Sequence, residues 1–279
     1  MEKKSNAAIK ARLIAAVSDP LIREKTFADF VYTFEQIGLS KKGAESLAEK
    51  VLTKLIAKNT MGKTENAVRA LFKKTKDDKG VPFFELLEKG LRGREKKIVT
   101  EQIGSFFKGV LGRVIDFGAG SGEIAQCLHD LYKINIDGVD VRDFKNKGVT
   151  IPILVFDGKK VPVKDSFYEA ALMTNVAHHE ENNEDILQEL TRIVRKKLVI
   201  IETVPADESR VEWERTFVND VLWNRFFNYA DIPVPGKYEL PANWIRRFTK
   251  YGWKLTYSKD LGYDQPTIRD LHYLLVFER

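Results

Sequence analysis

A run of alternating glycines constrains the fold of this chain more than any other feature of its sequence. The run Asp116-Phe117-Gly118-Ala119-Gly120-Ser121-Gly122 lies between the short apolar segment 114–115 and the apolar-periodic segment 124–131. This order predicts a β-strand, a tight turn and an α-helix. Glycine allows backbone angles that other residues avoid and lets a ligand approach the main chain. Because the amides at a helix start attract an anionic group, we expect a ligand site at this turn.

A second acid supports that expectation. Asp140 follows a second predicted strand, 134–139, and comes eighteen residues after Gly122. An acid about 20 residues beyond a glycine turn is where a ribose diol is usually bound. A dinucleotide fingerprint would require glycine at position 123, where the chain has Glu123. An NAD-binding oxidoreductase is therefore the least favoured alternative.

The pattern of strands continues along the chain. A third predicted strand, 153–156, is followed by Asp157 and Gly158, and a fourth, 170–174, is followed by Asn175. A helical stripe over 186–194 and an almost wholly apolar strand over 197–203 come next, as expected for a strand covered on both faces.

The pattern D-x-G-x-G-x-G, with an acid after the second strand, resembles motif I of the class I S-adenosylmethionine-dependent methyltransferases. The resemblance runs from about residue 96 to the end. It implies an α/β, Rossmann-like domain with a seven-stranded, mostly parallel sheet and helices on both faces. It also implies that the predicted strands 253–257 and 271–277 form a terminal hairpin, with strand seven antiparallel between strands five and six.

The same resemblance implies S-adenosyl-L-methionine as the cofactor and assigns residues to it. The glycine loop would bind the methionine end, Asp140 the ribose, and the segment after strand three the adenine. His178 and His179 would pass the methionine end, where either could act as a general base, although packing is the simpler role for each. The implied cofactor-binding residues are Asp116, Gly118, Ala119, Gly120, Gly122, Asp140, Val141, Asp157, Gly158 and Asn175.

The acceptor is expected to be a small molecule, because the resemblance is to the small-molecule, ubiquinone/menaquinone-type branch. The segment 175–178 lacks the proline-aromatic motif of the base-amino methyltransferases. An insertion near 205–240 would cover the substrate pocket, although its aromatics could simply pack the insertion onto the sheet. A non-catalytic binding module with a vestigial cofactor site is a further alternative. The aromatic residues of the insertion are Trp213, Phe217, Trp223, Phe226, Phe227 and Tyr229.

Residues 1–95 are predicted to form a helical N-terminal domain, and residues 96–279 the methyltransferase domain. Apolar stripes with helical spacing run over 27–37 and 44–56. Residues 1–95 hold 20 Lys/Arg and 13 Asp/Glu, within a chain of formal net charge +6. A solvated helical surface explains this excess, while RNA and a second copy of the chain are alternative partners.

Composition excludes several other classes. No apolar run approaches the ~18 residues of a membrane helix, and the single Cys127 suits a reducing cytoplasm. We expect it to be packed rather than nucleophilic. No Cys/His cluster has the spacing of a metal site. The segment 57–64 resembles a phosphate loop around Lys63, but a helix is predicted before it instead of a strand, so an ordinary turn is expected.

Overall fold

A computed structural model describes residues 2–227, 232–263 and 269–279. The chain divides into two compact units, and both are discontinuous in sequence. We call them the helical unit and the sheet unit. The helical unit comprises Met1–Arg92, Val204–Tyr238 and Tyr263–Leu271, and the sheet unit comprises Gly93–Thr203, Glu239–Gly262 and His272–Arg279.

The sheet unit is built on the expected seven-stranded sheet, in the order β3-β2-β1-β4-β5-β7-β6. Neighbouring strands from β3 to β5 pair in parallel, and β7 lies between β5 and β6 as predicted. The Rossmann-like fold class is confirmed. The strands are β1 Val114–Phe117, β2 Ile136–Asp140, β3 Ile153–Val155, β4 Tyr168–Thr174, β5 Val194–Val204, β6 Lys254–Tyr263 and β7 Leu271–Glu278.

Helices cover both faces of the sheet. Alternate residues of each strand point to opposite faces and therefore pack in two separate cores. Ile115 and Met173 pack with Trp244 and Phe248 on one face. Val114, Leu172, Leu128, Val99 and Phe107 meet on the other. The helices of this unit are α6 Arg94–Lys97, α7 Glu123–Tyr132, α8 Asn183–Ile193 and α10 Pro241–Lys250, with a π-helix at Ile98–Ile103 and 3₁₀ turns at Gly104–Phe107 and Ala177–His179.

The helical unit has a core rich in aromatic side chains. Phe72 and Phe83 stack with ring centroids 4.5 Å apart, and Phe34 and Phe227 pack around them. Its helices are α1 Glu2–Ser18, α2 Pro20–Gln36, α3 Lys41–Ile56, α4 Met61–Lys74, α5 Phe83–Leu91 and α9 Arg210–Val221, followed by a π-helix at Leu222–Phe227.

The aromatic insertion contributes to this core. Phe217, Phe226 and Phe227 are buried in it, and Trp213 and Trp223 pack against it. Packing therefore accounts for these five side chains, whereas Tyr229 lies outside the described residues. The expected cover over a substrate pocket stays a prediction, as do the domain boundaries at 95 and 96.

Two further expectations concern single residues. Lys63 lies in the first turn of α4, which follows α3 directly, so the phosphate-loop interpretation is wrong and the turn is confirmed. Cys127 lies on α7, is half-buried and packs against the core on that face of the sheet. Burial, followed by the charge of Glu95, raises the pKa of its thiol. Among the described residues, no helix has the length and apolarity that crossing a membrane requires.

Replacing Phe72 with alanine should lower the free energy of unfolding by about 3–5 kcal/mol, because the side chain is fully buried and its loss leaves a cavity. Urea unfolding would measure this loss. Leu111→Ala is the control, since Leu111 is 92% exposed and should change stability little. Equal losses in the two variants would contradict the assigned core.

Candidate functional site

The glycine loop connects β1 to α7 in the backbone conformation that glycine favours. Gly118, Gly120 and Gly122 have φ angles of +77°, +52° and +78°. A Cβ atom at Gly118 would lie 2.4 Å from Val176, and one at Gly122 would lie 2.6 Å from Ile153. A Cβ at Gly120 would meet no atom within 4 Å. Packing therefore requires the outer two glycines, while the space beside the middle one is empty.

Asp140, expected at the ribose, fixes the glycine loop. One oxygen of its buried carboxylate accepts a hydrogen bond from the Gly120 amide at 2.8 Å. The other accepts from the Val141 amide at 2.7 Å and the Arg142 amide at 3.4 Å. The structure thus brings Asp140 and the glycine loop together, as the spacing in the sequence predicts. Contact of Asp140 with a ribose stays a prediction.

Asp116 is a buried acid at the end of β1. Its Oδ1 atom has no hydrogen-bond partner among the residues that the structure describes. Burial, followed by the nearby charge of Asp140, raises the pKa of Asp116 to about 7. A buried carboxyl that lacks a partner is costly unless it is neutral or a cation approaches it. Asp116 is therefore suited to the ammonium group of an amino-acid moiety.

The segments after β2 and β3 lie side by side at the same edge of the sheet. Gly158 has φ of +79°, and a Cβ there would come within 3.3 Å of Val141. Val141 and Val155 are 45% and 49% exposed, which offers apolar surface beside Asp140. Asp157 is exposed, and its carboxylate accepts hydrogen bonds from the amides of Lys159 and Lys160, which lower its pKa. Its carboxylate therefore shapes the turn after β3.

Asn175 begins the segment after β4 with a left-handed backbone, at φ of +54°. Its side-chain oxygen accepts a hydrogen bond from the Thr203 hydroxyl at 3.3 Å, and its amide nitrogen lies 3.3 Å from His272 Nε2. The Asn175 main-chain amide donates to the carbonyl of Ile201 at 2.8 Å. Contacts with Thr203 and Ile201 of β5 and with His272 of β7 therefore orient this residue.

Glu202 is the site residue that sequence reasoning missed. It is fully buried on β5, and Oε1 accepts hydrogen bonds from the amides of Val176 and Ala177 at 3.0 and 2.8 Å. Oε2 lies 2.6 Å from His178 Nδ1. Burial alone would raise the pKa of Glu202, but the charge and hydrogen bond of His178, with the two amides, outweigh it and lower that pKa. A single acid within the apolar run 198–204 was the available signal.

His178 and His179 lie together in the short turn after β4. His178 is buried and His179 is half-buried, with ring centroids 4.1 Å apart. A carboxylate on Nδ1 selects the tautomer in which Nε2 is the basic nitrogen of a neutral imidazole. His178 thus has the arrangement of an oriented general base, and the ring of His179 packs beside it at a tilt of 45°.

These residues meet at one edge of the sheet. β1 pairs in parallel with β2 on one side and with β4 on the other. The connection that leaves β1 therefore runs toward β2, whereas the connection that leaves β4 runs in the opposite direction. Ligands of open α/β sheets bind at such a switch point, outside the carboxyl ends of the strands. Glu123, the first residue of α7, places a carboxylate at the helix start, and it accepts a hydrogen bond from the Ser121 hydroxyl. This charge disfavours the pyrophosphate of a dinucleotide there.

Comparison with known protein families gives a match over the region that contains the glycine loop. Residues 115–201, about a third of the chain, match the family model described as a methyltransferase domain. No curated protein matches the sequence. The chain therefore contains a methyltransferase domain, its activity is methyl transfer, and S-adenosylmethionine is its cofactor.

Solved structures of similar shape include three from bacteria. A SAM-dependent methyltransferase from Aquifex aeolicus has 15% identity and a TM-score of 0.45, covering 70% of this chain and 96% of its own. Magnesium protoporphyrin IX methyltransferase from Synechocystis, with bound SAH, has 14% identity and a TM-score of 0.48, covering 69% and 87%. The YcgJ protein of Bacillus subtilis has 16% identity and a TM-score of 0.46, covering 63% and 96%. These sequence identities and TM-scores are low, so the methyl acceptors of these three proteins say nothing about the acceptor of this protein.

Gly120→Ala should weaken S-adenosylmethionine binding by about tenfold or more, equivalent to about 1.4 kcal/mol, because a methyl group would enter the open space over the loop. Calorimetry with the cofactor would measure this change. Gly148→Ala is a matched control, since Gly148 also has positive φ, at +91°, with nothing within 4 Å of its added Cβ. Equal affinities for the cofactor in the two variants would show that the glycine loop is not part of the cofactor site.

Asp116→Asn should gain stability relative to the parent protein as the pH rises. The pKa of Asp116 is raised from 3.8 to about 7 in the folded chain. Its contribution to stability is therefore fully present below pH ~4 and is lost as the pH rises through about 7. The asparagine does not titrate, so the difference in unfolding free energy should grow over this window, to about 4 kcal/mol at most.

Urea unfolding at the two ends of that pH window would test this expectation. Asp143→Asn, at an exposed position, is the control for the exchange of a carboxyl for an amide. A difference between Asp116→Asn and the parent that stays constant with pH would refute the assignment.

Proposed function

We propose that this protein transfers a methyl group from S-adenosylmethionine to an O, N or C nucleophile of a small-molecule acceptor. The observation that carries the proposal is the pairing of His178 with Glu202 next to the glycine loop. Val176 contacts Gly118, so the turn that holds His178 packs directly on that loop. This contact supports a proton acceptor beside the proposed cofactor site.

The cofactor supplies an activated methyl group on a sulfonium, so the protein mainly has to bind, align and exclude water. In our proposal the methionine moiety lies in the empty space beside Gly120 and its ammonium group contacts the carboxyl of Asp116. Asp140 contacts the ribose while it fixes the loop. Val141, Gly158 and the turn formed by Asp157 border the adenine.

His178 would accept the proton that an oxygen or nitrogen nucleophile loses as it attacks. Its Nδ1–H donates to Glu202, which leaves Nε2 as the basic nitrogen. The buried carboxylate stabilises the imidazolium once the proton has arrived. Asn175 would border the methionine end, because contacts with β5 and β7 hold it at the start of the same segment.

Two features support a small acceptor over RNA. The segment 175–178 lacks the proline-aromatic motif of the base-amino enzymes. Several cations of the helical unit are paired with acids, among them Arg12 with Glu214 and Arg23 with Glu49. These pairs reduce the charge that a phosphate backbone would contact. The ubiquinone/menaquinone-type branch, a cytoplasmic location and a homodimer remain parts of the proposal that rest on sequence alone.

Methyl-labelled S-adenosylmethionine, incubated with the protein and a fractionated extract of its source, tests the acceptor. Label in low-mass, nuclease-resistant material is the expected result. Label in nuclease-sensitive material of high mass would mean that RNA is the acceptor. No transfer to any fraction, despite cofactor binding, would favour the vestigial module.

His178→Ala should lower turnover of the labelled acceptor by about 100-fold or more while leaving cofactor affinity nearly unchanged, because the loss is of proton transfer. Glu202→Gln should also lower turnover, since it removes the charge that orients the ring. His179→Ala is the comparison, and a smaller effect is expected because the proposal assigns the proton to the His178 ring that Glu202 orients. Full turnover in His178→Ala would show that His178 does not act as a general base.

A further inference from the structure

The chain between β3 and β4 has no regular secondary structure of its own. Residues 156–167 form neither helix nor strand, so their main-chain N–H and C=O groups need other partners. Part of this segment is nevertheless buried, since Val161 is fully inaccessible to solvent and packs in a core of the sheet unit. The partners of this buried main chain therefore determine where the segment lies.

Two side chains of α8, one turn apart, supply those partners. The buried Glu189 accepts a hydrogen bond from the Val161 amide through Oε1, at 2.7 Å. Arg192 donates from Nη2 to the Val161 carbonyl at 2.9 Å and from Nη1 to the Val163 carbonyl at 2.8 Å. The main-chain carbonyl of Arg192 accepts from the amide of Ser166, at 2.8 Å. The segment is thus held by α8 at positions 161, 163 and 166.

All five N–H groups of the Arg192 guanidinium have acceptors. Besides the two carbonyls, Nε donates to Glu189 Oε2 at 2.9 Å and Nη2 donates to Oε1 at 2.7 Å. The fifth hydrogen bond runs from Nη1 to the exposed carboxylate of Asp165, at 2.8 Å. Because a guanidinium presents its donors in one fixed plane, these contacts fix both the side chain and the segment. We call Glu189 and Arg192 together the α8 clamp.

The α8 clamp fixes one end of the turn that follows β3. At the other end of this turn, the Phe156 amide donates to the Asp140 carbonyl at 3.0 Å. Only residues 157–160 lie between that anchor and the hydrogen bond from Val161 to Glu189. A short turn that is tied at both ends has few conformations available to it. Its position beside Asp140 is therefore set from β2 on one side and from α8 on the other.

We propose that Glu189 and Arg192 are positioning residues for recognition of the adenine base. This inference rests on the proposed function, which places the turn 157–160 beside adenine. Adenine has a donor at its exocyclic amino group and an acceptor at the neighbouring ring nitrogen, whereas hypoxanthine has an acceptor and a donor there. A site distinguishes two such bases only when its own donors and acceptors are held in place. The α8 clamp supplies that rigidity from the far end of the segment.

The test compares S-adenosylhomocysteine with S-inosylhomocysteine, in which hypoxanthine replaces adenine and the rest of the molecule is unchanged. Calorimetry would give the Kd of each ligand for the intact protein. The ratio of the inosyl Kd to the adenosyl Kd measures discrimination of the base. We expect the parent protein to favour S-adenosylhomocysteine about tenfold or more.

Arg192→Lys should lower this ratio about fivefold, because one ammonium keeps the charge beside Glu189 but cannot hold two carbonyls in a plane. Glu189→Gln keeps an acceptor oxygen for the Val161 amide and should lower the ratio about twofold. A substitution that only destabilised the fold would weaken both ligands equally and leave the ratio unchanged.

Arg247→Lys is the matched control. The Arg247 side chain is 15% exposed, against 19% for Arg192, and it pairs with Glu184 in the first turn of the same helix, at 2.6 Å. The exchange is therefore the same in chemistry and burial but acts on the opposite end of α8. We expect the ratio of this variant to equal that of the parent protein.

Gly158→Ala separates failure of this inference from failure of the proposed adenine site. Gly158 has φ of +79° and its added Cβ would lie 3.3 Å from Val141, so the substitution strains the turn directly. A ratio lowered in Gly158→Ala but kept in both clamp variants would overturn the inference alone. A ratio unchanged in all three variants, or equal to one in the parent protein, would overturn the adenine placement and the inference with it. If Arg192→Lys does not fold, the parent's ratio in Glu189→Gln is sufficient to overturn the inference.

Discussion

The hydrogen bond from the Gly120 amide to the Asp140 carboxylate is the interaction on which the candidate cofactor site depends. It joins the connection after β1 to the end of β2 at 2.8 Å, and the carboxylate is buried, where a charge-assisted hydrogen bond is strong. On the other side, Gly118 contacts Val176 after β4. The glycine loop is therefore fixed from both neighbouring strands, and the space beside Gly120, where our proposal places the cofactor, is empty.

The three buried acids at this edge of the sheet differ in their hydrogen-bond partners. Asp140 and Glu202 each accept at least two main-chain amides, so both act first as internal supports for a loop. Asp116 has an oxygen without a partner among the described residues and a raised pKa. Because the cost of burying this oxygen is not offset by the described residues, Asp116 is the acid that our proposal assigns to the ammonium group of the cofactor. This contrast separates supporting acids from a ligand-binding one.

The sequence predicted the parts of this structure that depend on neighbours along the chain. Strands β1 to β5, the glycine loop and the position of Asp140 all follow from short-range patterns, because a buried parallel strand and a positive-φ turn each demand particular residues locally. The role of Glu202 could not be predicted in this way. Its partners Val176 and His178 come from another strand end, so only the sheet order brings the three together.

Two further features escaped prediction for the same physical reason. The aromatic residues of the insertion have the composition of a substrate pocket, yet Phe217 and Phe227 complete the core that residues 1–92 begin. Nothing in the sequence distinguishes Arg269 from other basic residues. Its neighbours Tyr32 and Asp29, and Arg215 on the same carboxylate, lie far from it along the chain. Contacts of long sequence separation thus decide which residues support a loop and which complete a core.

Calorimetric titration of the protein with S-adenosylmethionine, and separately with NAD⁺, tests the central claim most directly. The account predicts stoichiometric binding of S-adenosylmethionine and no detectable binding of NAD⁺, because Glu123 opposes a pyrophosphate at the start of α7. Stoichiometric binding of NAD⁺ without binding of S-adenosylmethionine would contradict it.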